Sequence, residues 1–562
     1  MKQIRTCVFC FVFVTSILAG AQDKSTDPVL AAMRQELDHS FQNLKKTSVP
    51  PYFLAYQLTD NRAIRVIGSF GALTYSDDSR SRVLDIDLRI GDYSLDNTHP
   101  LRGAGRGRGI PDSFRAMKIP LDDDSDALRT ALWYETDRKY KSAVEDLEQV
   151  KANVAVKVEA EDKSGDFSRE PAEKYAEAIA PFSFDQHAWE EKIRKITAPF
   201  RNLAGITEAN AEVTGEIETR RYVNSDGSVE MLSAPLYRLV ISASMKADDG
   251  MDLPLHETYM SFRPDGLPDE AMLLKDVNKM ISMLQALNRA PVTEPYTGPA
   301  ILSGRASAVF FHEIFGHRIE GQRQKNEDEA QTFKKKVNQS VLPGFLSVYS
   351  DPTLKEVKGT ELLGYYPYDD EGVKGRRVPV VENGILKNFL MSRAPIDGFP
   401  RSNGHGRRQQ GFAVVARQSN LLVEAKKQVS RDELKKMLLA EIKAANKPYG
   451  LIFDDIEGGF TFTQRFLPNS FNVLPTVVYK VYPNGREELV RGVDLIGTPL
   501  IAFSKITAAD NDIGVFNGIC GAESGWVPVS AISPGLLVSQ IEVQRKAKSQ
   551  EKAPLLPSPP AQ

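Results

Sequence analysis

Apolar positions in the first half of the chain recur with two different periods, which predicts helices and strands in turn. Leu30, Met33, Leu37 and Phe41 fall three or four residues apart, so residues 22–50 read as a linker and an amphipathic helix. From Pro51 the pattern becomes that of strands: Tyr52–Gln57, Ile64–Tyr75 and Val83–Ile90 alternate or run apolar between glycines and aspartates. Leu128, Leu132, Tyr140, Val144 and Leu147 restore helical spacing over Ser125–Val150, with Trp133 and Tyr134 expected among its core contacts. A short helix is predicted near Ala188–Ile196 and a longer one over Leu267–Leu287. Between them Asp226-Gly227 marks a hairpin within Arg221–Val229.

After a proline-containing connection, Pro291–Pro299, the texture changes. Asn383-Gly384 folds Val378–Leu390 back on itself, and Asn484-Gly485 does the same within Thr476–Val490. Arg431–Ala445 is a helix set between strands. Two stretches carry no element: Arg102–Gly109, a glycine- and arginine-rich loop with no strand–helix frame for phosphate, and the polar, proline-rich end. At 562 residues the chain exceeds one compact core. The expectation is an α+β fold: an α/β domain over 22–290, a mainly β domain over 291–545, and a disordered tail over 546–562.

The beginning of the chain reads differently. Lys2 and Arg5 precede an apolar run, Cys7–Leu18, and then Ala19-Gly20-Ala21, the layout of a secretory signal peptide over residues 1–21. The run is shorter than the ~20 residues a spanning helix needs, so a soluble protein in a bacterial periplasm, with no membrane span, is expected. Cleavage removes Lys2 and Arg5, taking the formal charge from −3 to −5, and this mild acidity offers no footprint for nucleic acid. It also removes Cys7 and Cys10, leaving Cys520 alone. One thiol cannot form an internal disulfide, so it is an inert buried group, an intermolecular link or a metal ligand.

Chemistry concentrates at His312-Glu313-Ile314-Phe315-Gly316-His317, which holds two of only seven histidines. Val309, Phe310, Ile314 and Ile319 mark a buried helix. Two neutral imidazoles suit zinc, and the adjacent Glu313 carboxylate can take a proton from metal-activated water. The spacing is unusual: the histidines stand five apart, not four. At about 100° per residue their rings diverge by roughly 140° on an ideal helix. A π-bulge, eased by Gly316, is the expected remedy. A third ligand is needed, and Glu320 or Cys520 can supply it. Glycines beside Cys520 (Gly518, Gly521) permit a tight loop that presents sulfur, which favours Cys520 and leaves Glu320 to orient a histidine.

With these residues in view, the chain resembles the TldD/PmbA family of modulator-of-gyrase metallopeptidases, in its catalytic TldD-like branch. The resemblance rests on His312–Gly321, Tyr368-Asp369-Asp370-Glu371-Gly372, the hairpin Val378–Leu390, Ser402–Arg408, and Cys520-Gly521 followed by Val527-Pro528-Val529. It implies a two-domain fold with the metal-binding helix near the junction, and zinc (Zn2+) held by His312, His317 and Cys520. It also implies Glu313 as general base, peptide or unfolded-protein substrates, and a homodimer or a heterodimer with a related subunit. His405, Arg407 and Arg408 are candidates for binding substrate, and Asp369 and Asp370 for holding a peptide N-terminus. Two other readings stay open: a dipeptidyl-peptidase-III-like zinc peptidase, which takes its third ligand from a glutamate, and a non-catalytic exported binding or assembly subunit.

Overall fold

Asp27 opens the described part of the chain, its carboxylate accepting the Leu30 amide to cap helix α1 (Pro28–Leu44). The computed structural model describes residues 27–101, 117–156, 162–461, 463 and 471–547. The signal segment 1–21, the loop 102–109 and residues 548–562 of the tail lie outside these.

The first sheet contains seven strands: β1 (Pro51–Ser69), β2 (Ala72–Ile90), β3 (Met117–Lys118), β4 (Lys174–Ala176), β5 (Ile206–Asn224), β6 (Val229–Lys246) and β7 (Asp252–Ser261). Their order is β3-β2-β1-β5-β6-β4, with β7 also paired to β6. The three strands expected over 52–90 are two, because β1 runs unbroken past residue 60 and turns at Phe70-Gly71 (φ 49° and 77°). A positive-φ turn that begins on phenylalanine lacks the Asn-Gly signal by which hairpins are found in sequence. Leu54, Tyr56 and Leu58 share a core with α1 and with α2 (Ser125–Val156), whose inward residues include Leu128, Leu132 and Leu147. The phase of α2 turns Trp133 and Tyr134 outward, 51% and 54% exposed, so they are not the core contacts expected. Farther along the sheet, Val66, Val213 and Leu239 pack under α3 (Gln186–Thr197) and α4 (Glu270–Arg289).

The second sheet has eleven strands: β8 (Tyr296–Leu302), β9 (Leu346–Ser350), β10 (Val378–Glu382), β11 (Ile385–Leu386), β12 (Asn420–Ala425), β13 (Gly450–Thr461), β14 (Phe471–Val481), β15 (Glu487–Val490), β16 (Val493–Gly497), β17 (Ile506–Ala522) and β18 (Gly525–Arg545). Its order is β11-β10-β9-β12-β18-β16-β14-β13-β8, with β15 on β14 and β17 on β18. β18 also pairs with β8, so β18, β16, β14, β13 and β8 close on themselves. Against it lies α5 (Gly304–Ile314), buried along nearly its whole length. A helix that is apolar all round belongs in a core, and here Phe310, Phe311 and Phe315 meet Phe471, Phe503 and Phe333 edge-on or tilted. The helix Arg431–Ala444, α6, covers a separate cluster.

Alternate residues of β1 and β5, Phe53, Ala55 and Tyr222, face away from the helices and meet Phe167. This side meets loops of the second half. Buried Arg393 stacks on Phe167 and donates to Ser168 O. Arg220 pairs with Asp370 and donates to Tyr368 O (2.7 Å) and Asp369 O (3.1 Å). Nearby Glu230 is buried with both carboxylate oxygens lacking a hydrogen bond. Burial, reinforced by Glu173 and Asp370 and opposed by Arg220, pushes it up to about 8 from the usual 4.5. The neutral acid is therefore the folded form. Its contribution to stability is fully present below about 4.5 and is lost as pH rises through about 8. The thermal midpoint is expected to fall across that window, and Glu230→Gln, always neutral, to flatten the fall; an unaltered slope in the variant would assign the effect elsewhere.

Candidate metal centre

His312 lies in the last turn of α5, where the helix ends at Ile314. Phe315 closes it, and Gly316–Arg318 form a 3-10 turn. No π-bulge occurs here. The helix stops, and the tighter turn swings His317 back so that the two rings lie 5.3 Å apart at 67°. Gly316 has a steric reason: a Cβ there would overlap the Gln418 amide.

Cys520 arrives from the far end of the chain on the β17–β18 hairpin, opposite Val527. The turn after it closes at Gly525, whose φ of 80° is a left-handed conformation that glycine adopts without strain. Cys520 Sγ stands 3.3 Å from His317 Nε2, and ligand atoms of His312, His317 and Cys520 all lie within 4.8 Å of one another. All three residues are buried. Burial alone would raise the thiol and lower the imidazoles. Mutual attraction reverses both: the imidazoles hold Cys520 well below its usual range, and the thiolate holds His317 and His312 above theirs. This field favours a cation among the three groups, and a divalent ion can take the place of the imidazole protons. The buried His312 Nδ1 has no hydrogen-bond partner, and two nitrogens with one sulfur form a set that fits such an ion.

Glu313, next to His312, is also buried, and burial raises its carboxyl while the histidines oppose the shift. It lies against Gly459 of β13, where a Cβ would come within 3.2 Å of its Cγ. Glu320 is wholly buried and faces the other side of His317, Oε2 to Nδ1 at 3.4 Å. Against the cost of burial, His317, Arg323 and Arg417 hold its carboxyl down to about 2. Arg323 Nε donates to it at 2.8 Å. Glu320 thus lies behind a histidine, outside the cluster of the other three.

The other residues singled out from sequence are engaged by the protein itself. His405 is buried against Ser350 (2.9 Å) and Asn403 (3.0 Å), and burial drives its imidazole down to about 3, so it stays neutral. Arg407 donates to Gln418 O and Pro528 O and stacks on Tyr366. Asp369 accepts amides of Glu371, Val373 and Gly406. Asp370 pairs with Arg220 and accepts the Arg408 amide, and the Arg408 side chain reaches Gln57. These contacts place Asp369, Asp370 and Arg408 at the junction of the two sheets. Sequence reasoning passed over Arg323, Arg417, Gln418 and Gly459. Only Arg323, three residues after Glu320, had a local signal; the others lie about a hundred residues or more from the histidines.

Comparison with known proteins defines the class first. Residues 295–545 match the PmbA/TldA metallopeptidase C-terminal domain. A metalloprotease of Archaeoglobus fulgidus is 29% identical over 237 residues, 42% of this chain and 51% of that one. A zinc metalloprotease TldD homolog of Saccharolobus solfataricus is 25% identical over 280 residues, 48% and 57%. A metalloprotease TldD homolog of Buchnera aphidicola is 23% identical over 359 residues, 60% and 68%. The chain spans about half the length of the first of these relatives. Two solved structures share its fold: a Thermotoga maritima protein named as a modulator of a DNA gyrase (TM-score 0.57, 16% identity, 91% of this chain and 99% of that one) and TldE of Thermococcus kodakarensis (0.56, 13%, 91% and 100%). Over residues 295–545 the chain is thus similar to the C-terminal domain of the PmbA/TldD metallopeptidases, a class that implies a metal ion. Plasma mass spectrometry of the purified protein is expected to find roughly one divalent metal per chain, most of it lost in Cys520→Ser. Full retention in the variant would move the third ligand elsewhere.

Proposed function

We propose that the protein is an exported zinc peptidase that hydrolyses peptide bonds in short or unfolded chains. The observation that carries this is the convergence of His312, His317 and Cys520 beside the buried carboxylate of Glu313. Thiolate and imidazole donors favour zinc over harder divalent ions, which prefer oxygen. Zinc held there supplies Lewis acidity toward the scissile carbonyl and lowers the pKa of water.

The chain's own residues do the rest. Glu313 takes the proton of the attacking water and returns it to the leaving amine, and its buried position keeps bulk water from competing for that proton. Glu320 fixes the ring of His317 through Nδ1, leaving Nε2 toward the sulfur. Cys520 contributes negative charge, which makes the ion a weaker Lewis acid than a third histidine would. Among the described residues no helix is long and apolar enough to cross a membrane. Assembly as a homodimer, or with a related subunit, belongs to the same proposal and draws on the structural likeness to TldE.

Glu313→Gln is expected to keep its metal and to lose hydrolysis of unstructured peptides by about a hundred- to ten-thousand-fold. Activity equal to that of the unaltered protein would remove Glu313 from the chemistry. Metal-loaded protein with no hydrolysis of any unstructured peptide would favour a binding subunit instead. Export is tested separately by reading the N-terminus of the protein from the extracytoplasmic fraction, expected at Gln22; a chain beginning at Met1 in the cytoplasm would overturn it.

A further inference from the structure

We propose that Arg417 is the positioning residue that seats Cys520 against the two histidines, an inference that rests on the metal-dependent reading above. The Cys520 hairpin needs such an anchor. Its tip is open, with Ile519 38% and Trp526 62% exposed, and only Val527 and Val529 form a buried cluster with the thiol. Apolar burial therefore does little to fix where the sulfur stands.

The Arg417 side chain, 1% exposed, grips that hairpin from inside. Nη2 donates to Cys520 O at 2.8 Å, and Nη1 donates to Ser524 Oγ at 2.8 Å and Gly525 O at 3.1 Å. One planar fork thus holds the strand that carries the thiol and the turn that follows it. On its third edge Nε lies 3.4 Å from Glu320 Oε1, and the other oxygen of Glu320 faces His317 Nδ1. The contacts run without a gap from the carbonyl of Cys520, through Arg417 and Glu320, to the ring of His317.

Neighbouring Gln418 completes the arrangement. Its Nε2 donates to His312 O at 3.2 Å, and its amide fills the space beside Gly316. Two consecutive side chains therefore touch the surroundings of all three ligands. Arginine is suited to this position because its rigid fork donates in several directions at once. A lysine keeps the charge opposite Glu320 but presents a single compact ammonium, which cannot reach Cys520 O, Ser524 Oγ and Gly525 O together.

The test uses the full mature chain, loaded with cobalt(II) or zinc alone. The unaltered protein is expected to show a thiolate-to-cobalt charge-transfer band. Arg417→Lys is expected to lose most of that band, to bind zinc about ten- to a hundred-fold more weakly in competition with a chromophoric chelator, and to expose Cys520 to iodoacetamide in the zinc-loaded state. Ser524→Ala removes one anchor with little change of volume. It is expected to move the same readouts less far, and it decides the matter if Arg417→Lys does not fold. Band, affinity and thiol protection all unchanged in a folded variant would overturn the role of Arg417 while leaving the metal site standing. No cobalt in the unaltered protein, or cobalt without the thiolate band, would overturn the metal-site reading and this inference with it.

Discussion

The structure depends on keeping a thiol, two imidazoles and two carboxylates inside an aromatic core. Taking ionised groups out of water costs several kcal/mol each, and only close partners repay it. Cys520, His312, His317 and Glu320 are those partners for one another, with Arg323 and Arg417 closing the charge balance. Withdrawing one member would leave an uncompensated buried charge, a loss of about 3–5 kcal/mol in comparable ion pairs. The core around them supplies the opposing gain. Phe310, Phe311, Ile314 and Phe315 are fully buried, and each contributes about 1.5–3 kcal/mol in area removed from water. Polar centre and apolar housing thus oppose one another within the same core.

That balance explains how the second sheet is built. The two histidines and the cysteine come from two places about two hundred residues apart, the end of a buried helix and the tip of a hairpin. A strand of twenty-one residues, β18, carries one side of that hairpin and also pairs with β8, the strand that leads into the helix. Distance in sequence is thereby converted into a shared sheet register. The first sheet meets this body through charged and aromatic groups, Arg220 on Asp370 and Arg393 on Phe167, and includes an acid that folds in its neutral form. Such an interface specifies one docking geometry, because each buried charge has few acceptable partners.

Much of this was legible in the sequence, because local rules governed it. Turns at Asn383-Gly384 and Asn484-Gly485 lie where glycine takes the positive φ expected of them. Helices over 186–197, 270–289 and 431–444 begin at side-chain caps on Asp185, Asp269 and Ser430. Trp133 and Tyr134 were misread because a mixed polar and aromatic stretch does not state which face will find a neighbour, and the Phe70-Gly71 turn because it carries no Asn-Gly signal.

The histidine pair, its adjacent glutamate and the glycine-flanked cysteine were determined by the sequence itself, since each is a matter of residue type and spacing. How the five-residue spacing is accommodated was decided only by the fold. The helix ends at Ile314 and a 3-10 turn follows instead of a bulge, with the Gln418 amide filling the space beside Gly316. The same holds for Arg417, whose partners on the Cys520 hairpin stand about a hundred positions away. Hydrogen bonds between residues a hundred positions apart have no period and no motif, so they exist only once the chain has closed on itself.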